Sequence, residues 1–208
     1  MRLGVAMIVL TGLTLVAACG NPATNKTQAV TGEAGHVAPQ TASGQKYSIT
    51  PENSKIEFIG SQVTGNHNGS FQKFSGEIDY TGTPENSRVS ISIDTDSITA
   101  DNPDLTKHLK TADFFDVAKY PKATFVSTAI KPGGDKGASH TITGNLTLHG
   151  VTKAVTFPAT IAASADAITV DSNFSINRKD FGINYAGPAD NLIRNDVVLA
   201  LKIRATKG

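Results

Sequence analysis

From Tyr47 to the end of the chain, apolar and polar residues alternate with a period of two, and this constrains the fold more than any other feature. Phe74, Gly76, Ile78 and Tyr80 alternate with Ser75, Glu77 and Asp79. Val89, Ile91 and Ile93 alternate with Arg88, Ser90, Ser92 and Asp94, and Ile142, Gly144, Leu146 and Leu148 with Thr141, Thr143, Asn145 and Thr147. The same rhythm runs through Ile56 and Phe58, Val155 to Ala159, Phe174 and Ile176, and Val197 to Ile203. Side chains of a strand point alternately to its two faces, so each run buries one face and wets the other. Antiparallel strands tolerate that arrangement and parallel ones rarely do. His149-Gly150 sits between two such runs at hairpin distance, and Pro84-Glu85-Asn86, Pro132-Gly133-Gly134-Asp135 and Ala165-Asp166 mark further reversals. About eight strands in this stretch predict an all-β sandwich or barrel.

One segment departs from the rhythm. Asn102 is suited to cap a helix and Pro103 to open it, while Leu105 and Leu109 share a face one turn apart. The pattern predicts a short helix from about Pro103 to Thr111. The adjacent aromatics Phe114 and Phe115 follow in a non-strand connection, which predicts a partly helical lid lying across one end of the sheet.

The N-terminus reads differently. Arg2 is the only charge before Cys19, and Leu3 to Ala18 is uncharged but too short to span a bilayer comfortably. Leu15-Val16-Ala17-Ala18-Cys19 resembles the lipobox of bacterial lipoprotein signal peptides, which implies cleavage after residue 18 and acylation of Cys19. Lipidation also accounts for the lone thiol of a secreted chain. By the same resemblance, Gly20 in place of Asp after the cysteine favours sorting to the outer membrane of a Gram-negative cell. Residues 19–46 lack aromatics and any sustained period, so they are expected to form a flexible tether of about 25–30 Å. The domain itself is expected over residues 47–208. Beyond Arg2 the chain carries as many basic as acidic residues, which gives no electrostatic footprint for nucleic acid.

Three long motifs occur in order within the strand-rich region. They are His108 to Val126 (HLKTADFFDVAKYPKATFV), Gly144 to Lys153 (GNLTLHGVTK) and Phe174 to Tyr185 (FSINRKDFGINY), the last followed by Asp196-Val-Val-Leu. Together they resemble the YceI-like, polyisoprenoid-binding family. The resemblance implies a lipocalin-like, eight-stranded antiparallel barrel whose lumen holds a long isoprenoid or similar apolar lipid. It also implies a binding protein that performs no chemistry on its ligand and works without a cofactor, and the lipobox-like run adds residence on the periplasmic side of the bacterial envelope, anchored through Cys19.

A chain with almost no polar handles must be held by apolar burial alone. At ~0.8 kcal/mol per buried carbon, one isoprene unit contributes on the order of 4 kcal/mol before costs. The alternation nominates Phe58, Phe74, Ile91, Ile93, Phe125, Leu146, Leu148, Phe157, Phe174, Ile176, Leu199 and Leu201 as lumen residues, with Phe114 and Phe115 at the opening. Each of these could equally be ordinary core, because an inward apolar face reads alike in a hollow and a solid barrel. Arg178 shares parity with Phe174 and Ile176. It is expected either to pair with Asp180 or Asp196 and close the barrel end, or to anchor a lipid headgroup.

Other chemistry finds little support. The sequence holds no Gly-x-Ser-x-Gly elbow, phosphate loop or His-Glu-x-x-His motif. His36, His67, His108 and His140 are singly placed, His149 belongs to a turn, and no set has metal-site spacing. The Asp94/Asp96 and Asp113/Asp116 pairs read as solvating or capping groups. The competing function is a lipid-anchored interaction module whose barrel is packed solid.

Overall fold

The computed structural model describes residues 20–37 and 44–207; the expected leader and Cys19 lie outside them. Thirteen strands and one α-helix follow one another along the described chain. Eight of the strands close a ring. They are β3 (Gln45–Ile49), β6 (Phe74–Tyr80), β7 (Arg88–Asp94), β9 (Lys122–Pro132), β10 (His140–Leu148), β11 (Val151–Ala163), β12 (Ala167–Asn177) and β13 (Asp196–Lys207). The order is β12-β11-β10-β9-β7-β6-β3-β13, and pairing of β13 with β12 along their full lengths returns the sheet to its start. Every pairing in this ring is antiparallel, as the alternation predicts.

β4 (Lys55–Ser61) lies on the same side of β13 as β3 and pairs with residues 198–202. Together with β5 (Asn66–Phe71) and β8 (Ile98–Ala100) it extends the wall at one end. The β10–β11 hairpin turns on His149-Gly150, both at positive φ, as two-residue hairpins of this hand require. A Cβ on Gly150 would also lie 2.4 Å from the Tyr120 ring, so the position needs glycine on two counts.

Helix α1 spans Pro103–Leu109, two residues shorter than expected. Its Asn102 cap accepts from the amides of Asp104 (2.8 Å) and Leu105 (3.0 Å). After it, residues 111–120 fold into consecutive turns, with the Phe115 amide donating to the Leu109 carbonyl and the Tyr120 amide to that of Asp116. Thr95 Oγ1 fastens the far side by donating to the Tyr120 carbonyl at 2.7 Å. The lid is therefore a built element, hydrogen-bonded along its length.

The expected tether is corrected by the structure. Gln45 and Lys46 already belong to β3, and two short strands precede it: β1 (Thr27–Gln28) and β2 (Val30–Gly32). β1 runs parallel to β12, and β2 runs antiparallel to β11. Composition alone favoured a coil because the segment has little to bury. What it offers instead is backbone, and the barrel supplies unpaired strand edges to receive it.

Candidate functional site: an apolar barrel lumen

The two barrel ends differ. At the end away from the lid, Tyr47 and Tyr80 meet edge to face with ring centroids 6.1 Å apart, and Ile130 and Ile168 are buried beside them. Tyr47 satisfies its hydroxyl on the Ala165 carbonyl at 3.1 Å. At the other end Leu109, Phe114 and Phe115 of the lid face inward with Gly60, Ile183 and Ile193. Phe114 rests edge-on against Tyr185 (5.4 Å) and His108 (5.0 Å), and Phe115 against Phe71 (5.6 Å).

Between the ends the barrel is hollow. A cavity of about 210 Å³ is walled by side chains from all but one of the eight ring strands, and no polar atom reaches its surface. The ring of Phe157 lies flat on that of Phe174, with centroids 4.2 Å apart and planes within 7°, and Phe125 approaches Phe157 at 5.8 Å. An apolar cavity of ~150 Å³ stays dry and admits one benzene. On that scale this lumen takes about eight carbons, fewer than two isoprene units, without movement of its wall.

Of the residues expected to line the lumen, Phe58, Ile91, Ile93, Phe114, Phe115, Phe125, Leu146, Leu148, Phe157, Phe174, Ile176, Arg178, Leu199 and Leu201 do so. Phe74 does not. It opens β6 directly after the Gln72–Lys73 connection, and its buried ring packs in the core away from the void. Parity tells which face a residue takes but not whether it meets space or a neighbour, since Ile93, directly opposite Phe74 in register, does line the cavity. Ile56, Ile78, Val89, Ile142, Val155, Val197 and Ile203 also line the cavity and share parity with nominated residues, so extending each run would have found them. Ile183 and Ile193 come from the coil between β12 and β13, where no periodicity marks them.

Arg178 is only 4% exposed and sits just past the end of β12. The carboxylate pairing expected for it does not form. Its guanidinium donates instead to three backbone carbonyls: Ile183 at 2.7 Å, Arg194 at 3.1 Å and Ile193 at 3.4 Å. Asp180 accepts from Thr31 and Asp196 from Gln28, so both candidate acids are engaged by the N-terminal strands. The physical reason is geometric: the 182–195 coil folds back over the strand end and leaves carbonyls that a planar, five-donor group satisfies well. Burial lowers the guanidinium's pKa. The stem of Arg178 borders the cavity while its polar atoms point into the coil.

The remaining polar candidates are engaged locally, outside the lumen. His67 pairs with Asp101 (2.9 Å), His108 with Asp113 (2.7 Å) and His140 with Glu85 (3.2 Å), and His36 is exposed. Asp94 caps the turn at Asp96, and Asp96 meets Lys110 at 3.1 Å. Among the described residues, no group of three or more His, Cys, Asp or Glu side chains is placed to hold a metal ion. His149 takes the turn role expected for it and faces the Phe181 carbonyl through Nδ1 at 3.3 Å.

Comparison with known proteins gives a consistent relationship. The YceI-like domain model matches residues 47–205. A UPF0312 protein of Pseudomonas putida is 38% identical over 136 residues, covering 62% of this chain and 70% of its own. One from Pseudomonas fluorescens is 36% identical over 138 residues, covering 63% and 71%. Among solved structures, BcnA of Burkholderia cenocepacia superposes with a TM-score of 0.66 at 27% identity, over 76% of this chain and 99% of that one. A polyisoprenoid binding domain from Saccharophagus degradans shares the fold, with a TM-score of 0.62 at 18% identity over 78% and 98%. The matched region holds the closed ring, the lid and the hollow between them, and the chain belongs to the YceI-like domain family.

Proposed function

We propose that this protein binds a long, apolar lipid chain, of the polyisoprenoid or isoprenoid-quinone class, inside its barrel and carries or sequesters it without altering it. The observation that carries the reading is a hollow whose wall presents only hydrocarbon. Such a wall rejects any ligand that needs polar partners, because an unmatched hydroxyl or charge pays its full desolvation cost there. It rewards a chain of methyl and methylene groups, and once the wall moves to admit a few isoprene units, their burial at on the order of 4 kcal/mol each exceeds the usual cost of association. A solid-cored interaction module would need that hollow filled. The polyisoprenoid binding domain from Saccharophagus degradans, which shares the fold, supports the same reading.

Location and anchoring complete the proposal. The lipobox-like run before Cys19 favours an acylated cysteine holding the barrel at the outer membrane's periplasmic face, within reach of the lipids it would carry. Titrating the delipidated protein with geranylgeraniol tests the binding reading by calorimetry. Saturable uptake of one chain with a negative heat-capacity change is expected. Absence of uptake at the solubility limit of the alcohol would overturn it.

A further inference from the structure

The barrel wall contains a seam that its own strands do not close. β11 and β12 pair over four residues only, Thr160–Ala163 with Ile168–Asp171. The ladder stops at Pro158, whose carbonyl accepts from Ser172 Oγ at 2.6 Å. Since a strand residue's C=O and N point to the same side, the N–H that Pro158 lacks is missing on the seam side. Beyond this point the two strands separate, and both edges of the gap carry lumen residues, Val155 and Phe157 on one and Phe174 and Ile176 on the other.

The N-terminal arm fills the gap. Thr27 and Gln28 register against Phe174 and Ser175, and Val30 to Gly32 against Thr156 to Ala154. The Ala29 amide donates to the Ser175 carbonyl at 2.7 Å. Yet the arm buries little. Between Thr27 and Gly32 only the Ala29 side chain is buried, while Val30 is 70% exposed. Its other holds are polar contacts at or near the surface: Thr27 to Asp135, Thr31 to Asp180 (2.7 Å) and Gln28 to Asp196 (3.2 Å), flanked by Lys136 to the Asn25 carbonyl, Lys153 to Glu33 (3.2 Å) and Gly35 exchanging two bonds with Asn145 (2.8 and 2.7 Å). A wall segment held mainly by backbone bonds that water can replace is the part of the barrel that opens most readily.

We propose that residues 27–32 are a removable gate, and that a long hydrocarbon chain enters and leaves the lumen sideways through the β11–β12 seam. This rests on the lipid-binding reading and deepens it. Two observations favour a lateral route. The resting lumen takes fewer than two isoprene units, so a longer chain needs the wall to widen, and the seam is where the strand ladder is already interrupted. In addition, a lateral slit lets a polar headgroup stay in water while the whole tail slides in at once, so no polar atom has to meet the apolar wall. The ligand class is therefore a long hydrocarbon tail that ends in a polar group. The gate lies eight positions after Cys19, so an anchor there would tie it to the membrane surface.

The test uses residues 20–208, which include the arm and every barrel strand and contain no native thiol. Thr31→Cys with Asp180→Cys places two thiols where side chains already touch, and a short bis-methanethiosulfonate crosslinker, which joins them through reducible mixed disulfides, fixes the arm in the seam. Thr147→Cys with Thr152→Cys, across the β10–β11 hairpin, is the matched control. The probe is fluorescently tagged geranylgeranyl phosphate, and the readout is its transfer from loaded protein to phosphatidylcholine vesicles. Crosslinking the arm should slow transfer at least tenfold, reduction should restore it, and the control crosslink should leave it unchanged. Ala29→Asp, which places a carboxylate in the seam, should speed transfer and raise hydrogen exchange at residues 173–177. Equal transfer rates for crosslinked and reduced arm, with binding intact, would overturn the gate alone. Failure of both forms to take up the probe would overturn the gate together with the binding reading.

Discussion

Phe157→Ala separates a lumen that houses a lipid from one that merely happens to be empty. The Phe157 side chain is buried at 4% exposure, lies flat on Phe174 at 4.2 Å and borders the cavity. Truncating a buried phenylalanine costs about 3–5 kcal/mol, of which the lost stacking partner accounts for about 1 kcal/mol. In the delipidated protein nothing refills the hole, so the loss should be about 4 kcal/mol. For a domain of this size that corresponds to a fall in melting temperature of about 8–16 °C. In the loaded protein the bound chain moves into the vacated space. Three or four of its carbons, at ~0.8 kcal/mol each, recover about 3 kcal/mol. Thermal unfolding of wild type and variant, each delipidated and each saturated with geranylgeraniol, measures the difference. Equal losses in the two states, within about 1 kcal/mol, would refute the claim that a chain lies against Phe157.

Three further outcomes follow from particular contacts. Arg178→Ala should destabilise the protein by about 3 kcal/mol or more in denaturant titration, because carbonyls of the 182–195 coil lose their donor. Arg178→Lys should not restore stability, since a single ammonium cannot span three carbonyls; full rescue would show that charge alone matters. Leu146→Asp places a carboxyl on the hydrocarbon wall and should reduce geranylgeraniol affinity at least tenfold in protein that still melts cooperatively at neutral pH, whereas unchanged affinity would remove Leu146 from the site. The Asn68 amide (2.8 Å), and after it His67, hold the Asp101 carboxyl below its ordinary pKa of 3.8. The stabilisation is therefore complete above that value and lost as pH falls through the lowered one. The Asn68 amide resonance should titrate with a midpoint below 3.8, and a midpoint at or above it would contradict the assignment.

Much of the barrel was legible in the sequence because period-two alternation and closed antiparallel pairing are two descriptions of one constraint. Ile91 and Ile93, for instance, declare their inward face by their spacing, and the structure places both on the cavity wall. Asn102 and Pro103 likewise announce a helix start through local chemistry that needs no tertiary partner. Features that depend on distant parts of the chain were not legible. Thr27 to Gly32 form strands because Pro158, 126 or more positions away, interrupts a ladder and leaves edges to be filled. Arg178 lies at the inward position its parity implies, but its partners come from a coil whose path no periodicity reveals. Phe74 shows the complementary limit, a residue on the correct face whose ring meets neighbours rather than space.

The most direct test of the account is to purify the protein from the cells that make it under mild conditions, record its native mass, and extract it with organic solvent for lipid mass spectrometry. One long-chain, largely hydrocarbon lipid per barrel, released as the protein unfolds, is the predicted result. A lipid-free barrel, whose melting temperature does not move when isoprenoid alcohols or quinones are added, would contradict it.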